Sequence, residues 1–181
     1  MRFPPISKEH WSSAQKKVAA EIMSGPRGEL RGPFVPLIYS PELASSVQKV
    51  GEYLRFGSRL PESLTELGIL VIARRYRSAN IWHSHRALAL KAMLAPSIIG
   101  DLAMDRRPAA MSECETAVFD FCHELANDIR ISDESFERVT VLWDKATAID
   151  LAGLCGYYVL LAMVLNTAQT PLPDGAEPFQ A

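Results

Sequence analysis

The sequence predicts an all-α protein, and three observations carry that reading. Apolar residues recur at spacings of three and four through most of the chain, which is the period of one helix face. Ser, Pro and Gly fall between these segments, at positions where helices start and stop. No stretch alternates apolar and polar residues between hairpin turns, so no strand is expected.

Taken in order, the first helix is expected from Ser7 as N-cap to the residue before Gly25 and Pro26, with Trp11, Ala14, Val18 and Ile22 along one stripe. Residues 25–40 hold Gly and Pro together with Phe34, Val35, Leu37, Ile38 and Tyr39, an ordered loop packed on the body rather than a linker. Ser40-Pro41 opens a second helix, because proline at the first helical position loses no needed donor; Gly57 stops it, and Leu43, Val47, Val50 and Leu54 form its expected buried stripe. Pro61 begins a helix carrying Leu64, Leu67, Leu70 and Val71 and ending at Arg74 to Arg77. Ser78 or Asn80 caps the next, through Ile81, Trp82, His85, Leu88 and Ala92, so that the two make a helical hairpin. A short helix follows Pro96, and the polar connection Asp105 to Pro108 is too short to separate domains. Ser112 with Glu115 reads as a capping box, Ser132 as another N-cap, and the last helix spans Ala146 to Thr167. The Pro-rich tail from residue 170 onward is expected to lie extended over the surface of this single domain.

Composition narrows the function classes. Nineteen Lys+Arg against twenty-one Asp+Glu give a net charge of -2, so neither nucleic acid nor an anionic membrane is an expected partner. Cys114, Cys122 and Cys155 form no disulfide framework, and with no signal-peptide-like opening the expected compartment is the cytoplasm. The apolar run Ala152 to Leu165 is short of the roughly 20 residues a membrane span needs and reads as a core helix. A mean hydropathy of +0.02 points to apolar surface buried between subunits, hence a homo-oligomer.

The chemistry concentrates in the hairpin. Glu66 interrupts an apolar face and needs a partner, and His85 is the partner the neighbouring helix offers. A carboxylate on one imidazole nitrogen fixes the tautomer and raises the basicity of the other, which suits proton transfer near neutral pH. Trp82, one turn before His85, could wall such a pocket. His83 points away from His85, and no HExxH or cysteine pair is present, so no metal is expected. On the last helix Tyr157, Tyr158 and Asn166 are polar groups in apolar surroundings and could line the same pocket, or could be satisfied core or interface groups.

The hairpin, from Leu64-Thr65-Glu66-Leu67 to Trp82-His83-Ser84-His85 and Ala89 to Leu94, resembles the carboxymuconolactone decarboxylase family, which includes the alkylhydroperoxidase D-like proteins. That resemblance implies a helical bundle assembled as a trimer or hexamer, a cofactor-free site with His85 as proton donor and Glu66 orienting it, and a small carboxylated lactone or related carbonyl acid as substrate. Substrate contacts would come from Trp82, Ser78, Ile81, Tyr157 and Asn166. Ser78 and Ile81 occupy the two positions where peroxide-reducing members carry a C-x-x-C pair, so peroxidase chemistry lacks its dithiol here. Ile81 also departs from the acidic or cysteine residue that usually precedes the tryptophan. A carboxy-lyase is the leading expectation, with an alkylhydroperoxidase-type antioxidant or a non-catalytic binding oligomer as alternatives. A substrate carboxylate would want a cation, and Arg74, Arg75, Arg77 and Arg86 are the nearby choices in sequence.

Overall fold

A computed structural model describes residues 1–173 and 176–179; the expectation for the tail at 174, 175, 180 and 181 lies outside the described residues. Among the described residues there are nine helices and no strand: α1 (Ser13–Ser24), α2 (Phe34–Leu37), α3 (Pro41–Glu52), α4 (Glu62–Arg75), α5 (Ala79–Lys91), α6 (Pro96–Ala103), α7 (Glu113–Asp128), α8 (Asp133–Leu142) and α9 (Lys145–Ala168). The all-helical expectation therefore holds.

α4 is the centre. Its residues 64–73 are buried without interruption, the signature of a helix surrounded on every side rather than packed by one face. α5, α6, α7 and α9 all pack against it. Gly68 makes this possible, since a Cβ there would sit 3.1 Å from the Cys122 sulfur on α7 and 3.3 Å from Leu154 on α9. α1, α2 and α3 form a second layer, in which α1 packs on α3, and α2 and α3 reach α9, while α8 packs on α7 and α9.

Local chemistry explains most boundaries. Ser112 and Glu115 cap α7 reciprocally, and Ser132 accepts from the Ser135 amide at the start of α8, both as expected. The first helix starts later than Ser7. Ser12 and Gln15 form the reciprocal box that opens α1, while Ser7 precedes only a 3₁₀ turn at Lys8–His10. Asp144 caps α9, its carboxylate taking the amide and hydroxyl of Thr147.

The stripe expected on α3 is rotated. Leu43 and Val50 are exposed, and the buried face is Ala44, Val47, Gln48 and Gly51. Small residues at 44 and 51 let neighbouring groups approach, which large apolar side chains would prevent. α3 then passes into a π-helical turn, Tyr53–Gly57, that buries Leu54. By length and composition α9 could also cross a membrane, but half of its most apolar stretch is buried inside the protein. Its outer face leaves Ile149 and Met163 exposed, with exposed Ala152, Gly153 and Gly156 between them.

Candidate functional site

α4 and α5 run as a hairpin joined at Tyr76 to Ser78, where Arg77 takes a left-handed conformation, φ 50°, to reverse the chain. This places Glu66 and His85 side by side. His85 Nδ1 lies 2.6 Å from Glu66 Oε2, with Glu66 3% and His85 8% exposed. The pairing expected from sequence is present in the fold.

The opposite ring nitrogen has a partner of its own. The Tyr158 hydroxyl is 3.3 Å from His85 Nε2, and the two rings meet edge to face at 5.1 Å. The tautomer satisfying both contacts has Nδ1–H donating to the carboxylate and Nε2 accepting the phenol proton. Burial pushes the Tyr158 phenol well above its ordinary pKa, with Glu66 adding to the effect and Arg55 opposing it, so Tyr158 stays protonated. Glu66, His85 and Tyr158 thus form one buried hydrogen-bonded chain from α4 through α5 to α9.

Tyr157 extends the arrangement. Its ring lies 5.2 Å from that of Tyr158, nearly perpendicular, and its hydroxyl accepts a hydrogen bond from Arg27 Nη2 at 3.0 Å. Burial raises the Tyr157 pKa, against the opposing pull of Arg27 and Arg55. The Arg27 guanidinium lies over the Phe34 ring at 4.6 Å. Gly51 makes room for this pair, because a Cβ at that position would overlap both the Tyr157 hydroxyl and Arg27.

The other expected contact residues divide. Ser78, Ile81 and Trp82 are buried on the same side of α5 as His85, and the buried Ser78 hydroxyl has no hydrogen-bond partner among the described residues. Trp82 packs edge-on against Phe179 of the tail, at 5.8 Å. Asn166 lies away from the group. It is exposed, eight residues beyond Tyr158 or about 12 Å along α9, and its amide donates to the Tyr76 carbonyl.

The arginines suggested by sequence proximity mostly serve elsewhere. Arg74 bonds the Ala103 carbonyl and approaches Asp105, and Arg75 bonds Asn127. With Arg77, Arg106, Arg107 and His123 they line a surface cleft of about 340 Å³ at the far end of α4. Arg27 and Arg55, the cations that act on the tyrosines, were not among those expected. The sequence offers Tyr158 as a pocket group without a partner; that a buried phenol needs a hydrogen bond is the signal it carries.

Among the described residues no cluster of three or more His, Cys, Asp or Glu side chains could hold a metal ion. Cys122 and Cys155 are buried and face one another between α7 and α9. The neighbouring Cys155 thiol, together with burial, holds the Cys122 thiol well above its ordinary pKa, which suppresses the thiolate. No model of a known protein family matches the chain, and no curated protein matches it significantly.

Proposed function

We propose that this protein is a cofactor-independent proton-transfer enzyme of the carboxymuconolactone decarboxylase type, acting on a carboxylated lactone or related small carbonyl acid. The observation supporting it is the buried chain Glu66, His85, Tyr158, in which a carboxylate holds one imidazole nitrogen and a phenol meets the other. In decarboxylation the bond to the carboxylate breaks, CO2 leaves, and the electron pair drains into the conjugated carbonyl. The carbon then takes a proton. With His85 as imidazolium beside Glu66, Nε2–H donates to the Tyr158 oxygen, the phenol proton passes to carbon, and His85 restores the phenol. Glu66 is a positioning residue in this scheme, while Tyr158 is the group presented to substrate.

The state of the thiols favours this reading over peroxide reduction. Attack on a peroxide needs an accessible thiolate and a resolving thiol beside it, whereas Cys122 and Cys155 are buried with Cys122 held protonated, and the half-buried Cys114 stands eight residues, about 12 Å, from Cys122 along α7. Free cysteines fit a reducing cytoplasm. The exposed apolar face of α9, with that of Leu43, Val50, Tyr53 and Phe56, supports a homo-oligomer.

The test is turnover of a panel of carboxylated lactones, followed by CO2 release, by the wild type and His85→Ala. Loss of at least about 10²-fold with unchanged helical circular dichroism is expected. Undiminished CO2 release by the variant would refute the proposal, and peroxide consumption with a dithiol reductant, lost on replacing the cysteines, would favour the antioxidant alternative.

A further inference from the structure

We propose that Arg27 and Arg55 form an anion-recognising subsite beside Tyr158 and His85, taking the carboxylate of a small organic acid. This rests on the functional reading above and assigns to it residues far from the hairpin in sequence.

The first support is uncompensated charge. Neither arginine comes within 4.0 Å of a carboxylate among the described residues, although eight other ion pairs form. Arg27 is half-buried, its Nη2 is spent on Tyr157, and its Nε is buried without an acceptor. Holding a guanidinium partly out of water without a counter-ion is costly, and a bound anion offsets that cost. The available local carboxylate is turned elsewhere: Glu52 takes the Gln48 amide at 3.1 Å and lies against Gly25.

The second support is construction. The Arg27–Tyr157 pair exists because residue 51 has no side chain to exclude it. Gln48, one turn earlier on the same face of α3, is 5% exposed, and its Oε1 is a buried acceptor without a donor. Arg55 stands in the π-helical turn that continues α3, four residues past the Gly51 that abuts the Tyr157 hydroxyl, and its guanidinium lies over the Phe56 ring at 4.9 Å. Both arginines bear electrostatically on Tyr157 and Tyr158.

The third support is direction. Arg27 touches Tyr157, Tyr157 packs on Tyr158, and Tyr158 meets His85. The arginine end of this row is thus joined through Tyr157 and Tyr158 to the proton-transferring end. A guanidinium forks onto a carboxylate with two N–H donors, which a neutral ester cannot match in charge.

The experiment is calorimetric binding of 5-oxotetrahydrofuran-2-carboxylate, a simple carboxylated lactone, and of its methyl ester. The proteins are wild type, Arg27→Ala, Arg27→Lys and Arg55→Ala. The acid is expected to bind at least about tenfold more weakly to Arg27→Ala and Arg55→Ala than to wild type. Arg27→Lys, which keeps the charge and guards against a folding defect, should fall between. The ester should bind more weakly than the acid to wild type, and equally to wild type and Arg27→Ala. Equal affinity for acid and ester, unchanged affinity in both alanine variants, or no binding by wild type up to about 10 mM would each overturn the subsite. The two readings separate cleanly. An arginine-dependent preference for the acid without turnover of any lactone keeps the subsite and rejects the enzyme; turnover that is indifferent to both arginines does the reverse.

Discussion

Replacing Gly51 by alanine sets two effects of opposite sign against each other. A glycine within a helix is ordinarily a weakness, and alanine there gains about 1 kcal/mol. At this position the new methyl would overlap the Tyr157 hydroxyl and the Arg27 guanidinium. Neither is a free chain end, since Tyr157 is buried in α9 and packed on Tyr158, and Arg27 is stacked on Phe34. Forcing a methyl into such a contact costs about 1–3 kcal/mol, and losing the Arg27–Tyr157 hydrogen bond costs about 1 kcal/mol more. The net expectation is a loss of about 1–3 kcal/mol, or on the order of 5 °C in Tm for a chain of this length. Urea unfolding followed by circular dichroism gives the number. The penalty should shrink in a Tyr157→Phe background, where one of the overlapped groups is gone. A Gly51→Ala protein as stable as wild type, or more so, would refute the packing argument, because that is what an unencumbered helical glycine would do.

Tyr158→Phe should cost about 1–3 kcal/mol by leaving a buried imidazole nitrogen without a donor, and should lower lactone turnover on the order of 10²-fold; unchanged CO2 release would remove Tyr158 from the relay. Alkaline pH should destabilise the fold. Cys122, Tyr157 and Tyr158 hold their protons in the folded chain to higher pH than their ordinary 9.0, 10.0 and 10.0, so their contribution is complete below those values and is lost progressively as pH rises from them toward the higher folded values. The urea midpoint should therefore fall between about pH 8 and about pH 10.5, and less so in Tyr157→Phe. Light scattering should report a homo-oligomer at micromolar concentration, and Met163→Glu on the outer face of α9 should dissociate it; a sharp monomer peak for wild type would sink that expectation.

What the sequence made legible was chiefly local. Ser112 with Glu115, and Ser132 ahead of α8, announce helix starts because a cap is written within four residues. Glu66 and His85 were legible because a carboxylate in an apolar helix demands a partner and the hairpin supplies one. α3 departs from its expected stripe because hydropathy rewards large side chains, while its inner face depends on Ala44 and Gly51 being small. Ser7 is the expected first cap, whereas the reciprocal bonds between Ser12 and Gln15 open α1 five residues later. Tyr157 and Tyr158 are adjacent and so diverge by about 100° on a helix; which one meets His85 depends on how α9 is rotated against α4 and α5. Arg27 had no signal at all. Its contact with Tyr157 spans 130 residues and follows only from the assembled layers.

Those layers also differ in how tightly they are held. Glu66 belongs to a helix clad by α5, α6, α7 and α9, whereas Arg27 lies between α1 and α2, whose layer reaches the centre through α3 and α9. Amide hydrogens of α4 should accordingly exchange with solvent only when the whole chain unfolds, while those of α1 and α3 should exchange through smaller local openings. Such an opening would carry Arg27 away from Tyr157 and leave the Glu66–His85 contact closed. One half of the molecule then holds its geometry fixed while the other breathes, and entry to the interior need not disturb the buried pair.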